Sequence, residues 1–305
     1  MRLIVMGQQA FGKDVLARLL EAGTDEVVAV YCEPDREGKP VDPIKAFALE
    51  KGMPVRQPAH FKDQASIDEL AGFDADLMIM AFVNVFVPEA ARDTPKHGSI
   101  CFHPSLLPRY RGPSAVNWPI IMGDTKSGFS WFYPSDGLDE GDVLLKWECA
   151  IGPDDTVIDL YFKKIYPAAV DSVVQVCELF RAGDPPHIAQ DESRASYERR
   201  CTHRHARIDW NKPVGQVYDL IRGTNPAPGA WTTHKGAELG VFDSARVAGD
   251  GLSSRVMEIS REGVAMQCIG GRVLIKRVRP AGGGKMPAAD WAEHAGLSVG
   301  DTLGD

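Results

Sequence analysis

No apolar run in this chain of 305 residues approaches the ~20 residues that a membrane-spanning helix needs, so no membrane anchor is expected. Positive charge is scarce: 34 Lys and Arg stand against 42 Asp and Glu, for a net charge of −8 and a pI near 5.5. Proteins that grip nucleic acid neutralise phosphates with a basic footprint, and none is visible, so nucleic acid is not expected as a partner. Cysteine is sparse and scattered. The six, Cys32, Cys101, Cys149, Cys177, Cys201 and Cys268, include no CxxC pair. With no secretory leader in evidence, a reduced, cytoplasmic protein is expected. Gly7-Gln8-Gln9-Ala10-Phe11-Gly12 lacks the middle glycine of a GxGxxG fingerprint. It reads as a tight turn, and no NAD is expected. Cys201, His203 and His205 offer three donors with no fourth at a sensible spacing, so no metal is expected either. There is no internal repeat and no low-complexity tract.

What is present is a change of pattern along the chain. The length suits two domains at ~100–200 residues each. Leu3–Gly7, Glu26–Cys32, Ala75–Phe82, Ser99–His103 and Gly128–Tyr133 read as strands, the early ones continuous and β-branched as buried parallel strands are. Lys13–Ala22, Pro43–Lys51 and Ala115–Met122 read as helices between them, and Thr156–Ala182 as one long helical stretch. This alternation predicts a doubly wound α/β domain over residues 1–190, with ligands at the carboxyl ends of its strands. The polar residues 191–207 read as a linker. In residues 208–305, a helix at Lys212–Arg222 precedes short strands at Val256–Ser260, Val264–Cys268 and Arg272–Val278, which predicts a small β-barrel. Nothing sets the oligomeric state.

The densest functional signal runs from Ser99 to Asp142. His103 ends an apolar strand, and Asp139 lies in a loop with glycines on either side. Strand ends and glycine loops are where a rigid scaffold presents reactive groups. An imidazole and a carboxylate brought together can move a proton at neutral pH. Asp136 and Asp142, beside Asp139, read as loop-ordering groups. Val83-Asn84-Val85-Phe86-Val87-Pro88 reads either as a strand-to-helix turn with core aromatics or as one wall of a pocket for a flat ring.

His103-Pro104-Ser105-Leu106-Leu107-Pro108, Arg111-Gly112 and Gly137-Leu138-Asp139-Glu140-Gly141-Asp142 resemble the motifs of the formyltransferase family that uses 10-formyltetrahydrofolate. The resemblance continues through Asp154-Asp155-Thr156-Val157, Ile221-Arg222-Gly223 and Pro228-Gly229-Ala230-Trp231, and so covers nearly the whole chain. It implies a Rossmann-like domain followed by an oligonucleotide-fold-like (OB-like) barrel, and a folate substrate. It also implies catalysis by His103 and Asp139, and a pterin pocket built from Phe86, Val87, Pro88, Cys101, Asp136, Gly137 and Leu138. In such chemistry His103 stabilises the developing oxyanion, while Asp139 takes a proton or orients His103.

The family's transferases carry an asparagine two residues before this histidine, where its amide donates to the formyl oxygen; here that residue is Cys101. A thiol is a weak donor and does not replace a carboxamide. Formyltetrahydrofolate hydrolases of this fold also lack that asparagine. The chain resembles, within the family, the N-terminal hydrolase domain of 10-formyltetrahydrofolate dehydrogenase, and also methionyl-tRNA formyltransferase. The expected activity is hydrolysis of 10-formyltetrahydrofolate to formate and tetrahydrofolate. The alternatives are formyl transfer to an amine (a small molecule, a nucleotide sugar or methionyl-tRNA) and a folate-binding module without turnover. Cys101 reads as a small apolar filler, the other reading being a nucleophile.

Overall fold

Seven strands make the first sheet of the computed structural model, which describes residues 1–304. They are β1 (Arg2–Gly7), β2 (Glu26–Tyr31), β3 (Val55–Arg56), β4 (Leu77–Ala81), β5 (Ser99–His103), β6 (Lys126–Phe132) and β7 (Val143–Ala150), in the order β3-β2-β1-β4-β5-β6-β7. The pairs from β3 to β5 are parallel, and β6 runs antiparallel to β5. Alternation along the strands sorts the core. Ile4, Met6, Met78 and Met80 join Phe61, Leu70, Val87 and Ala91 in one apolar cluster. Leu3, Val5, Leu77 and Ile79 point to the other face and are just as buried. Helix Gln9–Ala22 packs against helix Tyr166–Arg181, with the Tyr166 hydroxyl donating to Asp14 at 2.6 Å. Gly7 lets β4 and the first helix close in together, because a Cβ there would sit 2.5 Å from the carbonyl oxygen of Ala81 in β4 and 3.2 Å from Cα of Gly12 in the helix. The turn that follows β1 is thus a packing device.

The expected long helical stretch Thr156–Ala182 is helical without a break from Val157 to Arg181, with a π-turn at Tyr161–Ile165 between the α-helical segments Val157–Leu160 and Tyr166–Arg181. Pro167 supplies the reason. It has no N–H for the carbonyl four residues back, so the regular ladder is interrupted there and the turn just before it widens.

The C-terminal strands are β8 (Ala230–His234), β9 (Ala237–Val241), β10 (Ser244–Val247), β11 (Val256–Ser260), β12 (Gly263–Cys268), β13 (Gly271–Ile275), β14 (Arg277–Pro280) and β15 (Met286–Pro287). They form two four-stranded sheets, β10-β13-β12-β11 and β15-β14-β9-β8, antiparallel at the pairs that carry the register. Helices Val214–Gly223 and Ala288–Ala295 close one shared core around Trp210, Val241, Met266, Val273 and Trp291. Arg272–Val278, expected as a single strand, is split between the two sheets. The exposed pair Lys276 and Arg277 marks the corner, where both backbone N–H groups reach the carbonyl of Asp243, at 2.7 and 3.3 Å.

Two compact units divide the chain. One comprises Met1–Gly112, Gly128–Cys149 and Lys164–Tyr197; the other comprises Pro113–Ser127, Ala150–Lys163 and the chain from Glu198 onward. Residues 191–197, read from sequence as the start of a linker, therefore lie in the first unit and 198–207 in the second.

Candidate active site

His103 occupies the carboxyl end of β5, opposite Ser130 of β6, and is 7% exposed. The Ser-Leu-Leu-Pro turn that follows it is pinned from both sides. Ser130 Oγ donates to the carbonyl of Ser105 at 2.8 Å and accepts from the N–H of Leu107 at 3.2 Å. Ser105 Oγ donates to the carbonyl of Arg109 at 2.7 Å. The turn delivers the carbonyl of Tyr110 to within 2.8 Å of His103 Nε2. A carbonyl only accepts, so Nε2 carries a proton and Nδ1 is the nitrogen left for chemistry.

Nδ1 faces Asp139, whose Oδ2 lies 3.5 Å away. The same oxygen accepts the N–H of Gly112 at 2.7 Å, which leaves Oδ1 for a proton. The structure thus brings His103 and Asp139 together across 36 residues of sequence, on the carboxyl side of the sheet where the strand pattern put His103. At 3.5 Å the two groups are too far apart for a strong direct hydrogen bond, but both can contact one small molecule.

Cys101 lies two residues before His103 and so on the same face of β5. It packs against Leu107, Phe132 and Val143. Burial pushes its thiol well above the ordinary range, and the negative charge of Asp139 adds to the effect. A catalytic cysteine needs the opposite shift. Cys101→Ala is therefore expected to keep most of any formyl-releasing activity, with no covalent gain of about 28 Da on quenched wild-type enzyme. A formyl thioester on Cys101 that forms and decays at the catalytic rate would overturn this reading.

The remaining expected residues fall on two segments. Phe86 is 67% exposed, Val87 is buried, and Pro88 precedes the short helix Glu89–Arg92. Leu138 is 55% exposed in the loop that carries Asp139. The segments are joined by Arg92, a buried cation that donates to Asp136 Oδ1 at 2.6 Å. Asp136 is thereby a fastening of the loop, as its place beside Asp139 suggested. Gly137 needs its missing side chain only to clear the Glu140 carboxylate. Cys201, His203 and His205 go to separate surroundings: Cys201 is buried, His203 stacks on Trp231 and meets Glu238, and His205 accepts from the N–H of Thr202. Among the described residues no cluster of His, Cys, Asp and Glu could hold a metal ion, and no helix is long and apolar enough to cross a membrane.

Sequence reading missed the support of the Asp139 loop. Gln190 Nε2 donates to the carbonyls of Asp139 and Gly141 at 2.8 and 2.7 Å. Gln190 is held in turn by Arg111, which is fully buried. Arg111 belongs to the quoted motif, but Gln190 sits in a polar stretch with no pattern to single it out.

An α/β sheet followed by a small antiparallel β unit is an architecture that known proteins share over nearly the whole of this chain. The Formyl transferase family model matches residues 1–175 and the model of the Formyl transferase C-terminal domain matches residues 200–296. The chain is 35% identical over 320 residues to cytosolic 10-formyltetrahydrofolate dehydrogenase of Xenopus tropicalis, covering 99% of this chain and 35% of that protein. It is 33% identical over 310 residues to methionyl-tRNA formyltransferase of Geobacter sulfurreducens, covering 100% of this chain and 97% of that one. Among solved structures, HypX from Aquifex aeolicus in complex with tetrahydrofolic acid superposes with a TM-score of 0.67 at 20% identity, over 98% of this chain and 48% of that one. The chain belongs to the formyltransferase family of enzymes. It spans about a third of the length of the dehydrogenase and nearly all of the transferase.

Proposed function

We propose that this enzyme hydrolyses 10-formyltetrahydrofolate to formate and tetrahydrofolate. The observation that carries the proposal is the pair of proton-handling groups converging on one point, His103 Nδ1 and the Asp139 carboxylate, with a half-buried thiol in apolar surroundings beside them where a transferase has a carboxamide donor. A folate ring needs flat apolar surface next to polar edges. Phe86 and Leu138 offer such surface in exposed positions, on the two segments that Arg92 and Asp136 tie together.

In the proposed reaction Asp139 takes a proton from water as the water oxygen bonds to the formyl carbon. His103, with Nε2 anchored on Tyr110, offers the proton of its doubly protonated ring at Nδ1 to the oxygen where negative charge builds. The bond from the formyl carbon to the folate nitrogen then breaks, that nitrogen receives a proton from the His103–Asp139 pair, and formate leaves.

The second reading is formyl transfer to an amine. The full-length match to a methionyl-tRNA formyltransferase favours it. Charge speaks against tRNA as the acceptor. Glu33–Asp42 holds Glu33, Asp35, Glu37 and Asp42 against Arg36 and Lys39, and Arg36 is already paired with Glu33 at 2.7 Å. Phosphate binding rests on several free cations and weakens steeply with salt. Incubation with 10-formyltetrahydrofolate, alone and with candidate amines or initiator methionyl-tRNA, separates the readings. Formate release without any amine is expected, with no saturable, salt-sensitive tRNA binding. Formylation of the tRNA faster than formate release would reverse the assignment.

A further inference from the structure

Asp139 has φ +57°, a left-handed conformation that residues other than glycine seldom adopt. Such a residue persists at a reactive site only where its surroundings hold it. The hold here is a connected set of groups with one polarity. Gln190 Oε1 accepts from Nε and Nη2 of Arg111, at 3.2 and 2.9 Å. Gln190 Nε2 donates to the carbonyls of Asp139 and Gly141. A guanidinium has only donors and a carbonyl only acceptors, so the Gln190 amide satisfies both sides in a single orientation.

Arg111 is itself fixed. It is 0% exposed, and its charge is met by a two-pronged bond to Glu192, at 3.0 and 2.6 Å, and by the Tyr197 hydroxyl. A buried cation requires such partners, and a bidentate carboxylate also sets its plane. The next residue, Gly112, gives its N–H directly to the Asp139 carboxylate. Main chain and side chain of Arg111-Gly112 therefore grip the same aspartate from two directions.

We propose that Gln190 is a positioning residue for the formyl chemistry: by bridging buried Arg111 to the carbonyls of Asp139 and Gly141, it keeps the Asp139 carboxylate aimed at His103. This rests on the catalytic reading of His103 and Asp139 given above. Gln190→Leu removes both halves of the bridge. Gln190→Glu keeps an acceptor for Arg111 but sets a carboxylate oxygen against two carbonyls, so it too releases the loop.

Both variants are expected to fold, to lower kcat by about 10- to 100-fold, as displacement of a reacting group does, and to change KM for the folate far less. In an Asp139→Asn background the same substitutions should cost little more, because Gln190 acts through that carboxylate. Amide hydrogen exchange in residues 136–142 should quicken in both variants. Unchanged exchange in that loop overturns the proposal, and so does a loss of turnover that simply multiplies with that of Asp139→Asn. If the wild-type enzyme neither releases nor transfers formyl groups, the functional reading fails, and loop exchange alone decides whether Gln190 is the anchor.

Discussion

His103→Ala and Asp139→Asn are each expected to lower turnover of 10-formyltetrahydrofolate by about 10²–10⁴, typical of losing a positioned acid or base. In barrier height this is about 3–5 kcal/mol at 1.36 kcal/mol per tenfold change. The aspartate variant is the cleaner of the two. The amide oxygen of an asparagine can still accept the N–H of Gly112, so the loop keeps its place while the proton acceptor is lost. His103→Ala removes a donor from the Tyr110 carbonyl as well, and its melting temperature should be measured beside its activity. Tetrahydrofolate should bind both variants much as it binds the wild type, because neither group is assigned to holding the ring. The double variant should be about as slow as the slower single, since the two groups act as one unit. A well-folded His103→Ala enzyme with near-normal turnover would remove the proposed mechanism.

Gly141→Ala should be nearly as damaging, although Gly141 carries no chemistry. A Cβ at this position would lie 1.7 Å from the carbonyl oxygen of Tyr133, and backbone cannot swing aside as a side chain can. The segment from Gly137 to Asp142 must shift instead, and Asp139 shifts with it. A displacement near 1 Å at a reacting group costs on the order of 10²-fold in rate. Gly137→Ala is the internal comparison. There the obstruction is Glu140 Oε2 at 1.9 Å, the tip of a flexible chain that can rotate away. Its expected loss is less than about tenfold, the scale of a substitution without a buried or strained contact. Steady-state kinetics and melting curves on the two alanine variants test the contrast. Equal damage in both, or none in Gly141→Ala, would mean that the loop backbone does not set the aspartate.

The parts of this molecule legible in its sequence are those governed by local pattern. β1, β2 and β4 announce themselves as unbroken apolar runs because both faces of a parallel sheet are covered. His103 and Asp139 stand out because the strings around them, Ser105-Leu106-Leu107-Pro108 and Gly137-Leu138, match long motifs of a known family; without those, a histidine at the end of an apolar strand reads as core. Less was legible where geometry depends on a distant partner. Pro167 was on view, yet a proline alone does not say whether a helix stops, kinks or takes up a π-turn. The corner at Lys276 and Arg277 shows as two successive charges in a strand, a break in alternation easily read as an edge. Glu192 and Tyr197 fall in the polar stretch that reads as a linker, and both are largely exposed, while nothing in its surroundings singles out Gln190. Their importance comes from Arg111, a charged side chain with no exposure at all, and burial of that kind leaves no mark on composition or periodicity.

That arrangement bears on where the enzyme can be cut. A fragment that stops at residue 175, where the match to the first family model stops, would hold both side chains proposed to react and the whole of β1 to β7. It would lack Gln190, Glu192 and Tyr197, leaving the Arg111 guanidinium to find solvent or another counter-charge. On the proposed mechanism, excision at that point would separate the groups that react from the groups that keep them in register, and the smallest faithful catalytic piece would run at least to Tyr197.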